Sequence, residues 1–214
     1  MSRLSSAILS SILAAVLLSG CQGGTPGAGP PETSSTTASP TSSVSSPAAS
    51  ATQSALAVYK PADASGKAQN VPVPVMPELA RENSKAGLEA FIGYWYATYS
   101  YATETGDLGP WGLATDTTTE SGGAYKRAID ANYANGSWLV GGRIAIPRIE
   151  VLWQAGADSQ VAKVQVIQEE IGYLDADATV RQRASAASNT AEAVRATFRN
   201  GAWQVIDNGL ILGS

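Results

Sequence analysis

Histidine is absent from the 214 residues, and cysteine occurs only once, at Cys21. The missing histidine removes the commonest general base and the commonest metal ligand of proteins. A single cysteine excludes a disulfide within the chain, so a secreted domain of this sequence must be held by its own core. Positive charge is also scarce: the net charge is -4 and the pI is about 4.8. We therefore expect no cofactor, no metal and no nucleic-acid partner.

The N-terminus has the layout of an export signal. Arg3 precedes an apolar stretch over residues 4–18, shorter than the ~20 residues that a membrane-spanning helix needs. The following "LSGC" resembles the lipobox of bacterial lipoproteins, in which the chain is cleaved between Gly20 and Cys21 and the cysteine thiolate takes a diacylglycerol. The alternative is an ordinary signal peptide with a chance cysteine at its edge.

The lipobox predicts both a location and a partner. Residues 1–20 are a signal peptide that the mature protein lacks, and two acyl chains on Cys21 anchor it firmly in a membrane. The sequence thus predicts a protein on the extracytoplasmic face of the cell membrane. The lipid, rather than surface charge, supplies the attachment.

Beyond the cysteine the chain is dominated by Gly, Pro, Ser, Thr and Ala, as in "TPGAGPPETSSTTASPTSSVSSPAAS". Such a segment has too few large apolar side chains to offset the entropy of ordering it. A flexible chain of ~35 residues spans roughly 30–35 Å. We predict a disordered tether over residues 21–70 and one folded domain over residues 71–214, the size of a single core.

Three helices are predicted at the start of this domain. In "KAGLEAFIGYWYATYSYATETG" apolar residues recur every three or four positions, which is typical of an amphipathic helix, and Gly106 ends it. "DLGPWGLATD" allows a short second helix. A third, with Tyr125, Ile129 and Tyr133 on one face, stops at Asn135–Gly136.

After Gly136 the apolar period changes to that of strands. "RIAIPRIEVLW" and "VAKVQVIQEEIGYL" each change parity once, and Pro147 predicts a bulge in the first of them. "AVRATFRNGAWQVID" predicts a hairpin with a type I′ turn at Asn200–Gly201, pairing Phe198 with Trp203 and Ala196 with Val205. The fold class is therefore α+β: a cone of three N-terminal helices packed on a strongly bent antiparallel sheet of about four strands.

The order of elements resembles the nuclear-transport-factor-two-like domains among the cystatin-like folds. More narrowly, "VPVPVMPE", "GLEAFIGYWYATYSYATETGDL" and "GAWQVID" resemble actinobacterial lipoproteins of unknown function that carry such a domain. Many members of that family have a cysteine pair after the second helix, whereas Thr and Ser stand here in "ATDTTTESGG". The resemblance implies no activity, because the wider fold hosts isomerases, dehydratases, cyclases and non-catalytic binding domains.

Five residues are candidates for lining a pocket at the mouth of the cone: Trp95, Tyr99, Trp153, Gln168 and Glu170. Gln168 and Glu170 share the strand parity of Val164 and Val166 and would point inward if no bulge intervenes. The favoured alternative puts Ile167, Ile171 and Tyr173 in the core and "QEE" in solvent, because burying polar groups is costly. Periodicity also assigns most aromatic residues to the core.

No catalytic residue is assigned. Asp130, one residue after Ile129, is better explained as an exposed helix position than as a base. "DADAT" at residues 175–179 is better explained as a turn than as a calcium loop.

The leading hypothesis is a non-enzymatic, lipid-anchored envelope protein whose domain binds a partner protein or a small apolar ligand. One alternative is an isomerase- or dehydratase-type enzyme that uses a buried carboxylate and a tyrosine hydroxyl. Another is a spacer or assembly module that dimerises through its sheet face.

Overall fold

The computed structural model describes residues 57–212, and the predicted signal peptide, Cys21 and most of the predicted tether lie outside them. These residues form an α+β domain with antiparallel sheets. In chain order its elements are a 3-10 turn at Glu78–Arg81, helices α1 (Lys85–Thr105), α2 (Gly109–Leu113) and α3 (Glu120–Tyr133), a 3-10 turn at Ala134–Gly136, and strands β1 (Trp138–Gly141), β2 (Ile144–Leu152), β3 (Gln160–Gln168), β4 (Ile171–Leu174), β5 (Val180–Ser185), β6 (Ser188–Arg199) and β7 (Ala202–Leu210). Within residues 57–212 no helix has the length and apolarity to cross a membrane.

Helix α1 forms as its apolar spacing predicts. The Ser84 hydroxyl caps it by accepting a hydrogen bond from the Gly87 N–H at 3.0 Å, which satisfies one of the free donors of the first turn. Gly106 ends it with φ of 79°, a left-handed conformation that glycine adopts without strain. The predicted stripe is buried: Leu88, Phe91, Ile92, Trp95 and Ala102 are each 0% exposed.

The two later helices also occur where the sequence predicts them. Helix α2 has five residues and begins with Gly109 and Pro110. Helix α3 is capped by Thr119 and buries Ile129, while Tyr125 and Tyr133 are half-buried. Asn135 and Gly136 have φ of 55° and 87°, so the predicted stop is confirmed.

The sheet differs from the prediction of about four strands. Residues 57–212 contain seven strands in two antiparallel sheets, ordered β1-β4-β5 and β2-β3-β6-β7. The reason is that three long strands are each interrupted, and every break moves the chain from one sheet to the other. The parity change in "VAKVQVIQEEIGYL" is such a break, since β3 ends at Gln168 and β4 starts at Ile171.

Two of these breaks lie side by side. The Gly142 N–H donates to the Glu170 carbonyl at 3.0 Å, and the Glu169 N–H donates to the Arg143 carbonyl at 3.0 Å. Gly141 has φ of 75°, and a Cβ there would lie 2.3 Å from the Glu170 carbonyl oxygen. A side chain is excluded at this close approach. The β1–β2 and β3–β4 segments can therefore bend at adjacent positions.

The predicted irregularity at Pro147 and the predicted hairpin are both confirmed. The β2–β3 register shifts between Ala145 and Arg148. In the hairpin, Ala196 pairs with Val205 and Phe198 with Trp203. Asn200 and Gly201 have φ of 53° and 79°, as a type I′ turn requires.

The main core lies between α1 and the inner face of the four-stranded sheet. The sheet contributes Val151, Ala162, Val164, Val166, Val194, Ala196, Trp203 and Val205, each at most 3% exposed. A second, smaller core joins Trp138 of β1 and Leu174 of β4 to Ala62.

The folded domain starts earlier than residue 71, the predicted boundary. Lys60 and Gln69 exchange two backbone hydrogen bonds, at 3.0 and 2.8 Å, which fold this segment back on itself. Ala62 is buried against Trp138, whose indole N–H donates to the Asp63 carbonyl at 3.1 Å. Residues 57–70 therefore belong to the domain rather than to the tether, because they cover a core that would otherwise face water.

Candidate functional site

A cluster of aromatic rings fills the space that the sequence assigned to a pocket. Trp95 is 0% exposed, and its indole N–H donates to the Thr115 hydroxyl at 2.8 Å. Tyr99 stacks on Tyr125 with ring centroids 3.8 Å apart, and Trp111 meets Tyr125 edge-on at 4.7 Å. Such contacts add to the stability gained by burial. Trp95 and Tyr99 are packing residues in this arrangement.

One carboxylate reaches this cluster. Tyr96 lies in α1 and is 2% exposed, and its hydroxyl donates to Glu192 Oε2 at 2.7 Å. Glu192 is half-buried near the start of β6, on the same side of the strand as Val194 and Ala196. A buried tyrosine hydroxyl is thus held by an acid at the edge of the core.

Burial keeps these tyrosines protonated. Desolvation raises the pKa of Tyr96 well above its ordinary value, and the Glu192 charge and hydrogen bond raise it further. Desolvation and the Glu192 charge also raise the pKa of Tyr99. Desolvation is likewise the main reason that the pKa of Tyr125 is high. At neutral pH all three are therefore neutral phenols rather than phenolates, and the hydroxyls of Tyr96 and Tyr125 are hydrogen-bonded.

The five predicted pocket residues do not converge on one cavity. Trp153 packs edge-on against Trp203 with ring centroids 6.3 Å apart, whereas the ring contacts of Trp95 are with Tyr96 and Tyr99. The Gln168 side chain donates to the Gly142 carbonyl at 3.3 Å, and Glu170 is exposed beyond the end of β3. The Gln168 side chain therefore links the end of β3 to the break between β1 and β2.

The favoured assignment of Ile167 to the core is wrong. Ile167 is 38% exposed, whereas Val164 and Val166 are 1% and 3% exposed. Ile171 and Tyr173 are half-buried, but they belong to β4 in the other sheet. Val164 and Val166 face the core. The apolar residues change parity only after β3 has ended at Gln168.

The acidic candidates form local contacts. Asp130 is exposed and pairs with Lys126 at 2.6 Å, one helical turn away. Asp177 accepts hydrogen bonds from the Thr179 hydroxyl and N–H, which lower the pKa of its carboxyl group. Across residues 57–212 no group of three or more potential ligand side chains is placed to hold a metal ion.

A second polar cluster fixes the start of the domain. Glu104, in the last turn of α1, is 7% exposed and accepts a hydrogen bond from the Tyr59 hydroxyl. The Arg143 guanidinium lies over the Tyr59 ring, 5.4 Å from its centroid, and its Nη1 lies 3.4 Å from the hydroxyl. Desolvation and the bond to Glu104 raise the pKa of Tyr59. A buried carboxylate is thus satisfied by a residue that the sequence assigned to the tether.

Sequence reasoning missed both Glu104 and Glu192. The signal for Glu192 was present, since the predicted hairpin fixes the inward parity of Ala196 and Phe198, and counting back by twos reaches Glu192. Glu104 had no comparable signal, because its partner Tyr59 lies 45 residues away in a segment without periodicity.

The described surface has several clefts, and five of them have volumes between about 240 and about 520 Å³. None of these five is lined by Trp95, Tyr96, Tyr99 or Glu192. One of them has a volume of about 250 Å³ and lies beside the tip of the β6–β7 hairpin. The Tyr96–Glu192 pair therefore opens onto none of these five clefts.

The fold and these sites define a small α+β domain with a filled aromatic core and surface clefts. The chain belongs to the Family of unknown function (DUF6318), whose model matches residues 57–209. No curated protein matches the chain.

Several solved structures are similar in fold. The intermembrane space region of the chloroplast protein ARC6 is 7% identical with a TM-score of 0.46, covering 62% of this chain and 99% of that one. Bd1075 of Bdellovibrio bacteriovorus is 10% identical with a TM-score of 0.37, covering 62% and 44%. An uncharacterised protein with a cystatin-like fold from Caulobacter vibrioides is 14% identical with a TM-score of 0.37, covering 58% and 87%.

Proposed function

We propose that this chain is a lipid-anchored protein of the cell envelope, of the actinobacterial lipoprotein kind, whose folded domain is a non-enzymatic interaction module. The lipid on Cys21 holds it at the extracytoplasmic face of the membrane. The segment between Cys21 and residue 56 is a tether that holds the domain off the bilayer. The domain binds an envelope partner through its surface.

The anchoring proposal is supported by the order of features at the N-terminus. Arg3, a short apolar stretch and small residues before Cys21 follow one another as in lipoprotein signals. The segment behind the cysteine has the composition of a disordered linker.

The main support for a non-enzymatic module is the close packing of side chains between α1 and the sheet. Leu88, Phe91, Ile92 and Trp95 are 0% exposed and face the sheet where a substrate or a small apolar ligand would have to sit. Displacing such side chains would forfeit their buried area, about 1.5–3 kcal/mol for each of them. Binding at the surface requires no such displacement.

The nuclear-transport-factor-two-like cone is the finer fold that we propose. Three helices precede the strands, and α1 packs on a sheet whose long strands are bent at shared positions. This order supports a cone with a closed interior.

Lipidation is tested on the full chain expressed in a lipoprotein-processing bacterium, beside a Cys21→Ser variant. Mass spectrometry should find the mature chain starting at Cys21 with a diacylglyceryl group, and the wild-type protein should partition with membranes. The variant should retain its N-terminal segment. A wild-type chain with Met1 in place, or with an unmodified thiol at Cys21, contradicts the anchoring.

The filled interior is tested by native mass spectrometry of the full chain in detergent. The expected spectrum shows the lipidated protein without a tightly bound apolar molecule. Repeated recovery of one such molecule, lost in a Phe91→Trp variant that remains folded, contradicts surface binding as the main activity.

One observation favours an enzyme as a second candidate: the Tyr96 hydroxyl and the Glu192 carboxylate meet at 2.7 Å. In an isomerase the carboxylate would take a proton from carbon next to a carbonyl, and the hydroxyl would have to turn to the substrate oxygen. The test is deuterium uptake by simple ketones in D2O, followed by proton NMR. Uptake that Glu192→Gln abolishes supports the enzyme, and no uptake above buffer removes it.

A further inference from the structure

A polar cleft lies where three surface turns meet: the β6–β7 hairpin, the β2–β3 loop and the turn before α1. We call it the hairpin cleft. Its lining includes Asn83, Asp158, Thr197, Phe198, Arg199 and Trp203. Its volume of about 250 Å³ is just below the roughly 300–1,000 Å³ of sites for drug-sized ligands. The cleft therefore suits a single small ring.

The walls of the hairpin cleft are held by internal hydrogen bonds. The Trp203 indole N–H donates to the Glu82 carbonyl at 2.8 Å, and the Thr197 hydroxyl donates to the Asp158 carbonyl at 2.9 Å. Trp203 and Thr197 are 3% and 2% exposed. The cleft is thus formed before any ligand arrives, which reduces the entropy lost on binding.

Three polar side chains at the cleft are open to a ligand. Asn83, Asp158 and Arg199 are exposed, and among residues 57–212 their side chains make no hydrogen bond or ion pair. Together they offer an amide that donates and accepts, a carboxylate that accepts, and a guanidinium with five donors. Half-buried Phe198 adds an aromatic surface beside them.

The chemistry of these groups selects the ligand class. The lining has one acid, Asp158, and one base, Arg199, and the charge of Arg199 also acts on the nearby Asp116 carboxylate. The cleft therefore has no excess positive charge for an anion, and a cation would meet Arg199 at close range. Hydroxyl groups both donate and accept, and the C–H face of a sugar ring is apolar enough to pack on an aromatic side chain. We propose that the hairpin cleft binds an uncharged sugar unit.

A neighbouring cleft indicates that the sugar belongs to a chain. This second cleft, about 520 Å³, shares Ala157 and Asp158 with the hairpin cleft and continues along Ser159 and Arg195. Adjacent subsites fit an oligosaccharide better than an isolated monosaccharide. The proposal names an envelope glycan as the partner of the proposed interaction module. It rests on the proposed function, because the envelope location supplies the glycan.

The test uses the full chain in micelles of a detergent without a sugar headgroup. The probes are N-acetylglucosamine, its dimer and its tetramer, with sodium phosphate as the anion control. Binding is followed by the NMR signal of the Trp203 indole N–H. Asp158→Ala and Arg199→Ala are compared with Arg183→Ala, a second exposed arginine on β5.

We expect a saturable Trp203 shift that needs less tetramer than monomer. Asp158→Ala and Arg199→Ala should each weaken binding roughly two- to tenfold, the loss typical of one hydrogen bond, and Arg183→Ala should not weaken it. No saturable shift with any of the glycans overturns the proposal. So does a shift that phosphate reproduces, or an equal loss in Arg199→Ala and Arg183→Ala.

The state of Cys21 is read separately by mass spectrometry of the same sample. A lipidated chain that binds none of the glycans overturns this inference and leaves the proposed anchoring intact. A chain that binds the tetramer but carries an unmodified Cys21 overturns the anchoring and leaves the hairpin cleft as a sugar site.

Discussion

The Tyr96 hydroxyl in α1 and the Glu192 carboxylate in β6 are joined by a hydrogen bond of 2.7 Å across 96 positions of sequence. Tyr96 is 2% exposed, so its hydroxyl has little access to water as a substitute partner. The bond fastens the central helix to the sheet at the edge of the core. It is satisfied on both sides, which makes it a structural contact in the resting protein.

We expect Tyr96→Phe to lower the free energy of unfolding by about 1.5–3 kcal/mol, the usual contribution of a hydrogen bond to a charged group. Urea denaturation followed by tryptophan fluorescence measures this loss. Tyr94→Phe is the matched control, because within residues 57–212 the Tyr94 hydroxyl makes no hydrogen bond and its ring is only half-buried. Equal losses in the two variants would mean that the Glu192 bond adds nothing to stability.

Tyr59 closes the N-terminal segment onto the domain through Glu104. We expect Tyr59→Phe to speed hydrogen exchange at the Lys60 and Gln69 amides, which bond across this segment at 3.0 and 2.8 Å. The reason is that the segment opens locally when its anchor is lost, at less than the cost of global unfolding. Exchange in the core strand β3 should not change.

The control for Tyr59 is Val58→Ala, since Val58 is 84% exposed. Exchange at Lys60 and Gln69 should stay at the wild-type rate in that variant. If Tyr59→Phe also leaves both amides protected, the segment is held by the small core around Trp138 alone.

Gly141 and Gly201 have nearly the same φ angle but different surroundings, so alanine substitutions there distinguish backbone strain from steric crowding. Gly141 and Gly201 have φ of 75° and 79°, where an alanine costs roughly 1–2 kcal/mol. A Cβ at Gly141 would also lie 2.3 Å from the Glu170 carbonyl oxygen, whereas at Gly201 nothing lies within 4 Å. Gly141→Ala should therefore destabilise the domain more than Gly201→Ala in thermal unfolding. Equal shifts of Tm would show that the strand break relaxes freely.

The elements that the sequence predicts correctly are those with local signals. Helix α1 repeats its apolar residues over six turns and ends in glycine, and the β6–β7 hairpin has its turn residues between two strands of matching parity. Neither requires knowledge of a distant segment. The helix and the hairpin predicted from this periodicity are therefore both present in the structure.

The parts that the sequence did not predict depend on contacts between distant residues. The break after Gln168 was interpreted as a shift of parity within one strand, because sequence does not show which sheet each half joins. Residues 57–70 have a composition close to that of a tether, yet Tyr59 and Ala62 find partners in α1 and β1. The hairpin cleft is formed by three turns that are far apart in the chain.

Alkaline pH should destabilise this domain through the buried Tyr96 and the half-buried Tyr99 and Tyr125. Burial raises the pKa values of Tyr96, Tyr99 and Tyr125, so above about pH 10 the unfolded chain releases phenolic protons that the folded chain retains. The free energy of unfolding should therefore be steady below pH 10 and fall above it, by up to about 1.4 kcal/mol per pH unit for each such tyrosine. Urea midpoints between pH 7 and 11 measure the slope. Tyr125→Phe removes one of these groups and should give a shallower fall, whatever its stability at pH 7. A variant with the wild-type slope would show that Tyr125 does not retain its proton in the folded state.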